Sequence, residues 1–194
     1  MRSCLLCGVG GQGTVLASRI IAAAAMERGL FARTAETIGM AQRGGCVVSH
    51  VRIGEQVPSP LIPPGQADAL LGFEPGETVR NLKYLKPDGV VIVGNRAVQP
   101  VTAALAGMDY NAETMLDYLK SHVKTCIVLD TDEITRSCGS PKALNVALVG
   151  AMARSGVMGL DAKDIETAVR ARVKPRFLDM NLKALQYGAD CVRG

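Results

Sequence analysis

Short apolar segments alternate along the chain with longer segments in which apolar residues recur at helical spacing. The short segments predict strands at 3–7, 31–37, 46–53, 69–72, 90–93 and 125–129. The longer segments predict helices at 14–28, 77–85, 112–121, 141–154, 162–173 and 175–187. Strands and helices in this order indicate an α/β fold, a three-layer Rossmann-like domain with a mostly parallel sheet and helices on both faces.

Individual residues predict where several helices begin or end, and the residue pattern of one segment predicts its type of strand. Asp161 is a predicted N-cap, because its side chain can accept a hydrogen bond from the first helical turn. Gly29 and Gly188 are predicted C-caps, since glycine adopts the left-handed conformation that ends many helices. The segment 46–53 alternates apolar and polar residues, which is typical of an antiparallel or edge strand.

Prolines and glycines interrupt the pattern at two further places. Four prolines make 57–65 an irregular loop, and Lys86-Pro87-Asp88-Gly89 is predicted to end the second helix. The secondary structure of the segment 99–108 is ambiguous. The sequence contains no repeat or linker, and 194 residues suffice for one hydrophobic core, so 1–194 is predicted to be a single domain.

Composition excludes several classes of protein. Hydrophobic residues make up 48% and charged residues 21%, as in ordinary globular proteins. The net charge is +4 without a Lys/Arg block, so no nucleic-acid partner is expected, although a local basic patch for a phosphorylated ligand stays open. Neither a signal peptide nor a segment long enough to span a bilayer is recognised, which predicts a cytoplasmic protein that does not bind membranes.

The six cysteines do not form a metal-binding pattern. Cys4 and Cys7 lie in the first predicted strand, and their odd spacing directs them to opposite faces of it. Because no ferredoxin-type run follows, we expect neither an iron–sulfur cluster nor another metal on this chain. His50 and His122 are interpreted as structural or surface residues, and no nucleophile–base pair can be assigned, so the catalytic residues stay unknown.

A glycine-rich loop follows the first predicted strand and precedes the first predicted helix. Gly8, Gly10 and Gly13 satisfy the pattern G-x-G-x-x-G, in which glycines allow a tight turn, close ligand approach and close packing of helix on strand. Backbone N–H groups at the start of such a helix favour an anion. The sequence therefore predicts an anion site that includes Gly11 and Gln12, unless the glycines serve only the turn.

A second polar cluster ends the second predicted strand. Glu36 stands where a dinucleotide-binding protein places an acidic residue on the ribose. Gln42 and Arg43 follow between glycines, and the planar guanidinium of Arg43 could hold a phosphate or carboxylate. A surface loop with a Glu36–Arg43 ion pair explains the same residues equally well.

These two clusters resemble one protein family in particular. The stretches are G-V-G-G-Q-G at 8–13 and E-T-I-G-M-A-Q-R-G-G-C-V-V-S-H-V-R at 36–52. With similar stretches at 67–75, 84–93 and 181–185, the chain resembles the gamma-type domain of the thiamine-diphosphate-dependent 2-oxoacid:ferredoxin oxidoreductases. The form G-M-A-Q-R-G-G, with Ser-Pro-Leu-Ile at 59–62, is most similar to the beta subunits of the indolepyruvate branch.

The resemblance implies a non-autonomous subunit of an enzyme that oxidatively decarboxylates a 2-oxoacid, such as indolepyruvate or another arylpyruvate, to an acyl-CoA and reduces ferredoxin. It implies that thiamine diphosphate and the iron–sulfur clusters belong to a large catalytic partner subunit. It also implies that the residues at 10–13, with Gln42 and Arg43, face coenzyme A or that partner.

Two alternatives stay open. The first is a free-standing NAD(P)- or flavin-binding oxidoreductase with Glu36 on the ribose, and the second is a non-catalytic nucleotide-binding module. Without its partner the chain could also form a homodimer through an exposed apolar face.

Overall fold

The computed structural model describes residues 1–38, 45–99 and 109–192. Within these ranges the strands are β1 (Arg2–Val9), β2 (Phe31–Ile38), β3 (Cys46–Gly54), β4 (Ala67–Gly72), β5 (Leu85–Gly94) and β6 (Thr125–Leu129). The helices are α1 (Thr14–Glu27), α2 (Pro75–Asn81), α3 (Ala112–His122), α4 (Thr131–Cys138), α5 (Leu144–Ser155), α6 (Ala162–Arg172) and α7 (Leu178–Asp190). Short 3₁₀ turns at Leu82–Tyr84, Pro141–Ala143 and Pro175–Phe177 lead into β5, α5 and α7.

All six of these strands form one sheet in the order β2-β3-β1-β4-β5-β6. Strands β1, β4, β5 and β6 are parallel, and β3 runs antiparallel to both β1 and β2. The mostly parallel sheet and the antiparallel character of the segment 46–53 are therefore confirmed. Because β1, β4 and the second half of β5 are covered on both faces, their sequences are almost continuously apolar.

Two hydrophobic cores lie on opposite faces of the sheet. Helices α1, α4, α5, α6 and α7 contribute to the larger core, and α3 contributes Leu116 and Leu119 to the smaller one. This arrangement confirms the three-layer fold. Cys4 lies in the larger core and Cys7 in the smaller one, as their spacing predicts. Burial raises the pKa of both thiols, so they are neutral, unreactive core residues.

Helix α1 ends where the sequence predicts. Gly29 has a φ of 76°, and its N–H donates to the carbonyl of Met26. The N–H of Leu30 donates to the carbonyl of Ala25, which completes a Schellman motif. Asp161 also acts as predicted, since it accepts from the N–H of Asp164 in a reciprocal capping box.

The prediction that Gly188 ends the last helix is wrong. Helix α7 continues to Asp190, and Gly188 is buried within it against α5. A Cβ at Gly188 would overlap the carbonyl oxygen of Ala147, and a Cβ at Gly150 would overlap the carbonyl oxygen of Leu185. The two glycines therefore allow the backbones of α5 and α7 to touch. In the sequence, a glycine that serves such a contact near the end of a helix resembles a C-cap.

The chain around residue 86 also differs from the prediction. Helix α2 ends at Asn81, and Lys86-Pro87-Asp88-Gly89 lies within β5 instead of forming a stop. The ammonium of Lys86 binds the buried carboxylate of Asp68 at 2.6 Å, which holds this segment beside β4. The pairing shifts register there, because Ala67 pairs with Leu85 but Ala69 with Val90. The ambiguous segment lies, from residue 100 to 108, outside the described residues.

Candidate functional site

The candidate site lies where the parallel strands end. After β1 the chain crosses through α1 to β2 and β3, on one side of β1, whereas after β4 it crosses through α2 to β5, on the other side. The boundary between β1 and β4 is therefore the topological switch point of the sheet. In open α/β sheets ligands bind in the crevice outside the carboxyl ends of the strands at such a point.

The glycine loop connects β1 to α1 at this edge. Gly11 and Gly13 have φ angles of 101° and 89°, which strongly favour glycine. Gly13 is the N-cap of α1, and among the described residues no side chain caps this helix and no acidic residue lies in its first turn. The start of α1 can therefore attract an anion through its backbone N–H groups and its dipole.

Gln12 has a role that the sequence did not reveal. Its Oε1 accepts from the N–H of Val9 at 2.7 Å, and its Nε2 donates to the carbonyl of Phe73 at 3.0 Å. Because Val9 ends β1 and Phe73 follows β4, the amide bridges the switch point. Gly8 is needed beneath it, since a Cβ there would lie 2.6 Å from the Cβ of Phe73 and 2.7 Å from Oε1 of Gln12.

A broad cleft opens beside the start of α1. Its volume is about 730 Å³, within the range of small-molecule sites. Three of the described residues that line it are cationic. Lys142 comes from the turn before α5, Arg172 ends α6, and Lys174 lies in the connection to α7. The described residues that line it include no Asp or Glu. The cleft therefore has the electrostatic character of an anion site.

The same cleft also has an apolar wall and two buried amide side chains, those of Asn145 and Asn181. Val173, Phe177 and Met180 supply the apolar surface. Asn145 is buried next to Gly13, and its Oδ1 accepts from the N–H of Val146. A ligand with an apolar or aromatic part and several anionic groups matches this combination of walls.

A second, narrower cavity of about 280 Å³ adjoins the broad cleft and shares Gly11, Gln12 and Lys142 with it. We call these two cavities the narrow and the broad lobe of the cleft. The narrow lobe adds Arg96, which follows β5, and Thr131, which begins α4. The Thr131 hydroxyl is buried and has no hydrogen-bond partner among the described residues. The described residues of the narrow lobe's lining include neither a carboxylate nor a histidine.

The structure brings together only part of the set predicted from the sequence. Residues 10–13 form the loop, Gly8 lies near the end of β1, and the N–H of Gly10 donates to the carbonyl of Gly45 at 2.9 Å. Glu36 lies on the outer strand β2, opposite Ser49, with its side chain exposed. Strand β3 separates it from β1, so it does not close the strand next to the loop. Gln42 and Arg43 lie outside the described residues.

A compact polar cluster lies on the other face of the sheet. Glu74 is fully buried and accepts from the N–H of Glu77 at 2.7 Å and from the hydroxyl of Tyr110 at 3.0 Å. Burial, together with Glu74, raises the pKa of Tyr110 to about 12. Burial and a hydrogen bond to Glu77 raise the pKa of the Cys46 thiol to about 11, so it stays protonated at neutral pH and is a poor nucleophile.

The sequence did not identify the cations of the cleft or the buried Glu74. Lys142, Arg172 and Lys174 are ordinary basic residues in their local contexts, and only the fold brings them to one edge. Glu74 did carry a signal, because an acidic residue directly before Pro75 and a helix is a typical N-cap.

The two histidines lie outside the cleft. Nδ1 of His50 accepts from the N–H of Ile62 at 3.2 Å, and the exposed ring of His122 stacks on Tyr118 at 3.9 Å between centroids. Within the described ranges no group of three or more His, Cys, Asp or Glu side chains could hold a metal ion. In the same part of the chain, no helix is long and apolar enough to cross a membrane.

Known proteins are similar to this chain over nearly its whole length. Residues 3–191 match the family described as pyruvate ferredoxin/flavodoxin oxidoreductase. Indolepyruvate oxidoreductase subunit IorB of Archaeoglobus fulgidus is 41% identical, over 93% of this chain and 90% of the relative. The protein of the same name from Thermococcus kodakarensis is 32% identical, over 97% of this chain and 95% of the relative.

Among solved structures, the gamma subunit of a keto/oxoacid ferredoxin oxidoreductase from Geobacter sulfurreducens superimposes with a TM-score of 0.72. It is 26% identical, and the match covers 98% of both chains. The chain therefore belongs to the pyruvate ferredoxin/flavodoxin oxidoreductase family. The family resemblance predicted from the glycine loop and the second cluster is confirmed, and the relatives are subunits of oxidoreductases that act on 2-oxoacids.

Proposed function

We propose that the chain is one gamma-type domain and a non-autonomous subunit of a 2-oxoacid:ferredoxin oxidoreductase, with indolepyruvate or another arylpyruvate as substrate. The names of the relatives support the substrate class. The described lining of the cleft, which lacks a carboxylate and a histidine, supports dependence on another subunit for the chemistry. Thiamine diphosphate and the iron–sulfur clusters belong to that larger partner, where thiamine diphosphate supplies the decarboxylation chemistry.

The task of this chain in the complex is to bind coenzyme A. The observation that carries this proposal is the junction of the uncapped α1 N-terminus with Lys142, Arg172 and Lys174 in one cleft. Coenzyme A carries phosphates on its nucleotide, an aromatic base and a long uncharged arm. Phosphates suit the helix start and the cations, and the base and arm suit the apolar wall.

A dinucleotide suits this geometry less well. In dinucleotide-binding sheets the strand beside β1 is parallel and ends in the acidic residue that holds the ribose. In this fold the neighbour is the antiparallel strand β3, and Glu36 lies one strand further out, roughly 10 Å from β1 at the usual strand spacing. The bond from Gly10 to Gly45 also ties the loop to the start of β3.

Reconstitution tests the subunit assignment. The chain is co-expressed with a large thiamine-diphosphate subunit of the same family, and viologen reduction is measured with indolepyruvate and coenzyme A under exclusion of oxygen. We expect activity from the complex and none from either subunit alone. Equal activity of the large subunit with and without this chain contradicts the proposal, as does micromolar binding of NADH by the isolated chain.

A further inference from the structure

We infer that Gln12 is a positioning residue that closes the crevice between β1 and β4 and holds the glycine loop in its ligand-binding form. The inference rests on the proposed coenzyme A cleft and adds to it a residue that acts through the backbone. Gln12 lines both lobes of the cleft, yet both polar atoms of its amide are bound to the protein. These two bonds fix the plane of the amide, so the side chain orders the loop whichever way its second N–H and second lone pair face.

The bonds of Gln12 fix the loop at three points. The backbone N–H of Gln12 donates to the carbonyl of Val9 at 3.2 Å, while its side-chain oxygen accepts from the N–H of the same residue at 2.7 Å. The side-chain nitrogen reaches Phe73, 61 residues away in sequence. The turn is thus closed on itself and tied to the end of β4, which fixes the position of Gly11 and the start of α1 relative to the sheet.

The same bonds direct the ligand to one side of the loop. In a dinucleotide site the pyrophosphate crosses at the switch point, close to the second glycine of the loop. Here the amide of Gln12 fills the space above Gly8 and Phe73. The open volume begins beside Gly11 and Lys142, and its narrow lobe continues past Phe73 to Arg96. An anionic ligand is therefore held beside the amide of Gln12, next to the start of α1 and Lys142, and not directly above Gly8.

The substitution Q12E affects the two side-chain hydrogen bonds differently, depending on whether the new carboxyl group is ionised. A protonated carboxyl group has one acceptor oxygen for the Val9 N–H and one O–H donor for the Phe73 carbonyl, so it reproduces the amide. An ionised carboxylate has only acceptors, so it keeps the first bond and repels the Phe73 carbonyl. Q12E should therefore behave like the natural protein at low pH and lose the positioning effect as the carboxyl group ionises.

The test compares Q12E with Q66E in the reconstituted two-subunit enzyme. Gln66 is an exposed residue before β4, outside the lining of both lobes, so Q66E introduces the same charge without touching the crevice. KM for coenzyme A and kcat are measured from pH 4 to 8.5, a range that includes the ordinary glutamate pKa of about 4.3. Both are expressed relative to the natural protein, which removes the pH dependence of the reaction itself.

At high pH we expect the KM of Q12E for coenzyme A to rise about tenfold, the effect of losing a hydrogen bond at a fixed site, with little change in kcat. At low pH the KM should return towards the natural value, and Q66E should stay flat throughout. A Q12E profile that matches Q66E overturns the inference. So does a loss of thermal stability in Q12E at high pH without a change in KM, because Gln12 would then serve the fold alone.

A failure of the proposed ligand site is recognised separately. If coenzyme A does not bind in the cleft, the double charge reversal R172E/K174E leaves its KM unchanged as well. If that variant raises KM but Q12E does not, the cleft is retained as the coenzyme A site and only the positioning role of Gln12 is overturned.

Discussion

At the scale of single residues, His50 shows how a buried histidine serves the fold. Its Nδ1 accepts from the N–H of Ile62, which lies in the proline-rich loop, and its ring meets Tyr84 edge-on at 5.8 Å. Arg52, on the same strand, donates to the carbonyls of Ser59 and Leu61 and holds the same loop. Burial lowers the pKa of His50 below its ordinary value of 6.5, since the charged form is poorly solvated there.

This environment predicts a pH dependence of stability. His50 binds a proton less readily in the folded than in the unfolded chain, so its contribution is fully present above pH 6.5 and is lost as the pH falls through the folded pKa. H50Q should cost about 1 kcal/mol of unfolding free energy at pH 7.5 and less at pH 5. Urea titrations at both pH values check this, with H122Q at the exposed histidine as the control. A cost that is the same at both pH values contradicts the assignment.

At the residue scale, the sequence predicted those features that depend only on residues close together in the chain. Gly8, Gly10 and Gly13 are recognised because a strand, a tight turn and a helix follow one another within a few residues. The bond from Gln12 to Phe73 is not predictable in the same way, because it depends on β4 lying beside β1. The sequence suggested a ligand-facing amide for Gln12, whereas the structure shows an amide that bonds to the loop and to β4.

At the scale of elements, the contact of α5 with α7 depends on two glycines. A G188A substitution would normally favour a helix, because alanine has the higher propensity. Here the added Cβ would overlap the carbonyl of Ala147, which belongs to the backbone of the facing helix and cannot rotate away. We therefore expect a loss of about 1–3 kcal/mol of unfolding free energy, as for an overpacked core.

Chemical denaturation of the isolated chain measures this loss, and K183A on the exposed side of α7 is the matched control. Because α7 also carries Met180 and Asn181 of the cleft wall, G188A should raise KM for coenzyme A in the complex as well. Unchanged stability in G188A would show that the two helices can separate without cost.

The elements themselves were predicted well where one signal dominates. The period of the apolar residues located the six strands and most helices to within a few residues, and β6 matched at both ends. Prediction failed where two signals share the same residues. Gly188 serves a helix contact but resembles a cap, and the Pro87-Asp88-Gly89 turn sequence is drawn into β5 by the bond from Lys86 to Asp68. Helix α4 was not predicted, because its eight residues contain a single large aliphatic side chain.

At the scale of the whole molecule, the net charge of +4 is modest, so its distribution matters more than its sum. The fold gathers Lys142, Arg172 and Lys174 around the positive end of α1, although Lys142 comes from a different segment than the other two. No sequence pattern predicts this cluster of positive charge, because it depends on α5, α6 and α7 converging on the carboxyl edge of the sheet.

Reversing two of these charges tests whether the cleft binds the phosphates of coenzyme A. R172E/K174E changes the net charge by −4, and K124E/K163E makes the same change at exposed positions outside the cleft lining. We expect R172E/K174E to raise KM for coenzyme A at least tenfold, roughly the effect of losing one or two charge-assisted hydrogen bonds. The control variant should stay close to the natural value, because charges beyond a Debye length are screened at physiological salt.

Ionic strength provides an independent measurement on the same variants. The KM of the natural enzyme should rise with salt, because dissolved ions compete for the cations of the cleft. That dependence should be reduced in R172E/K174E and retained in K124E/K163E. If both double variants weaken coenzyme A binding equally, the attraction is a property of the overall charge and the cleft has no particular role. If neither does, the phosphates are held by another surface of the complex, and the cations beside α1 serve a different anion.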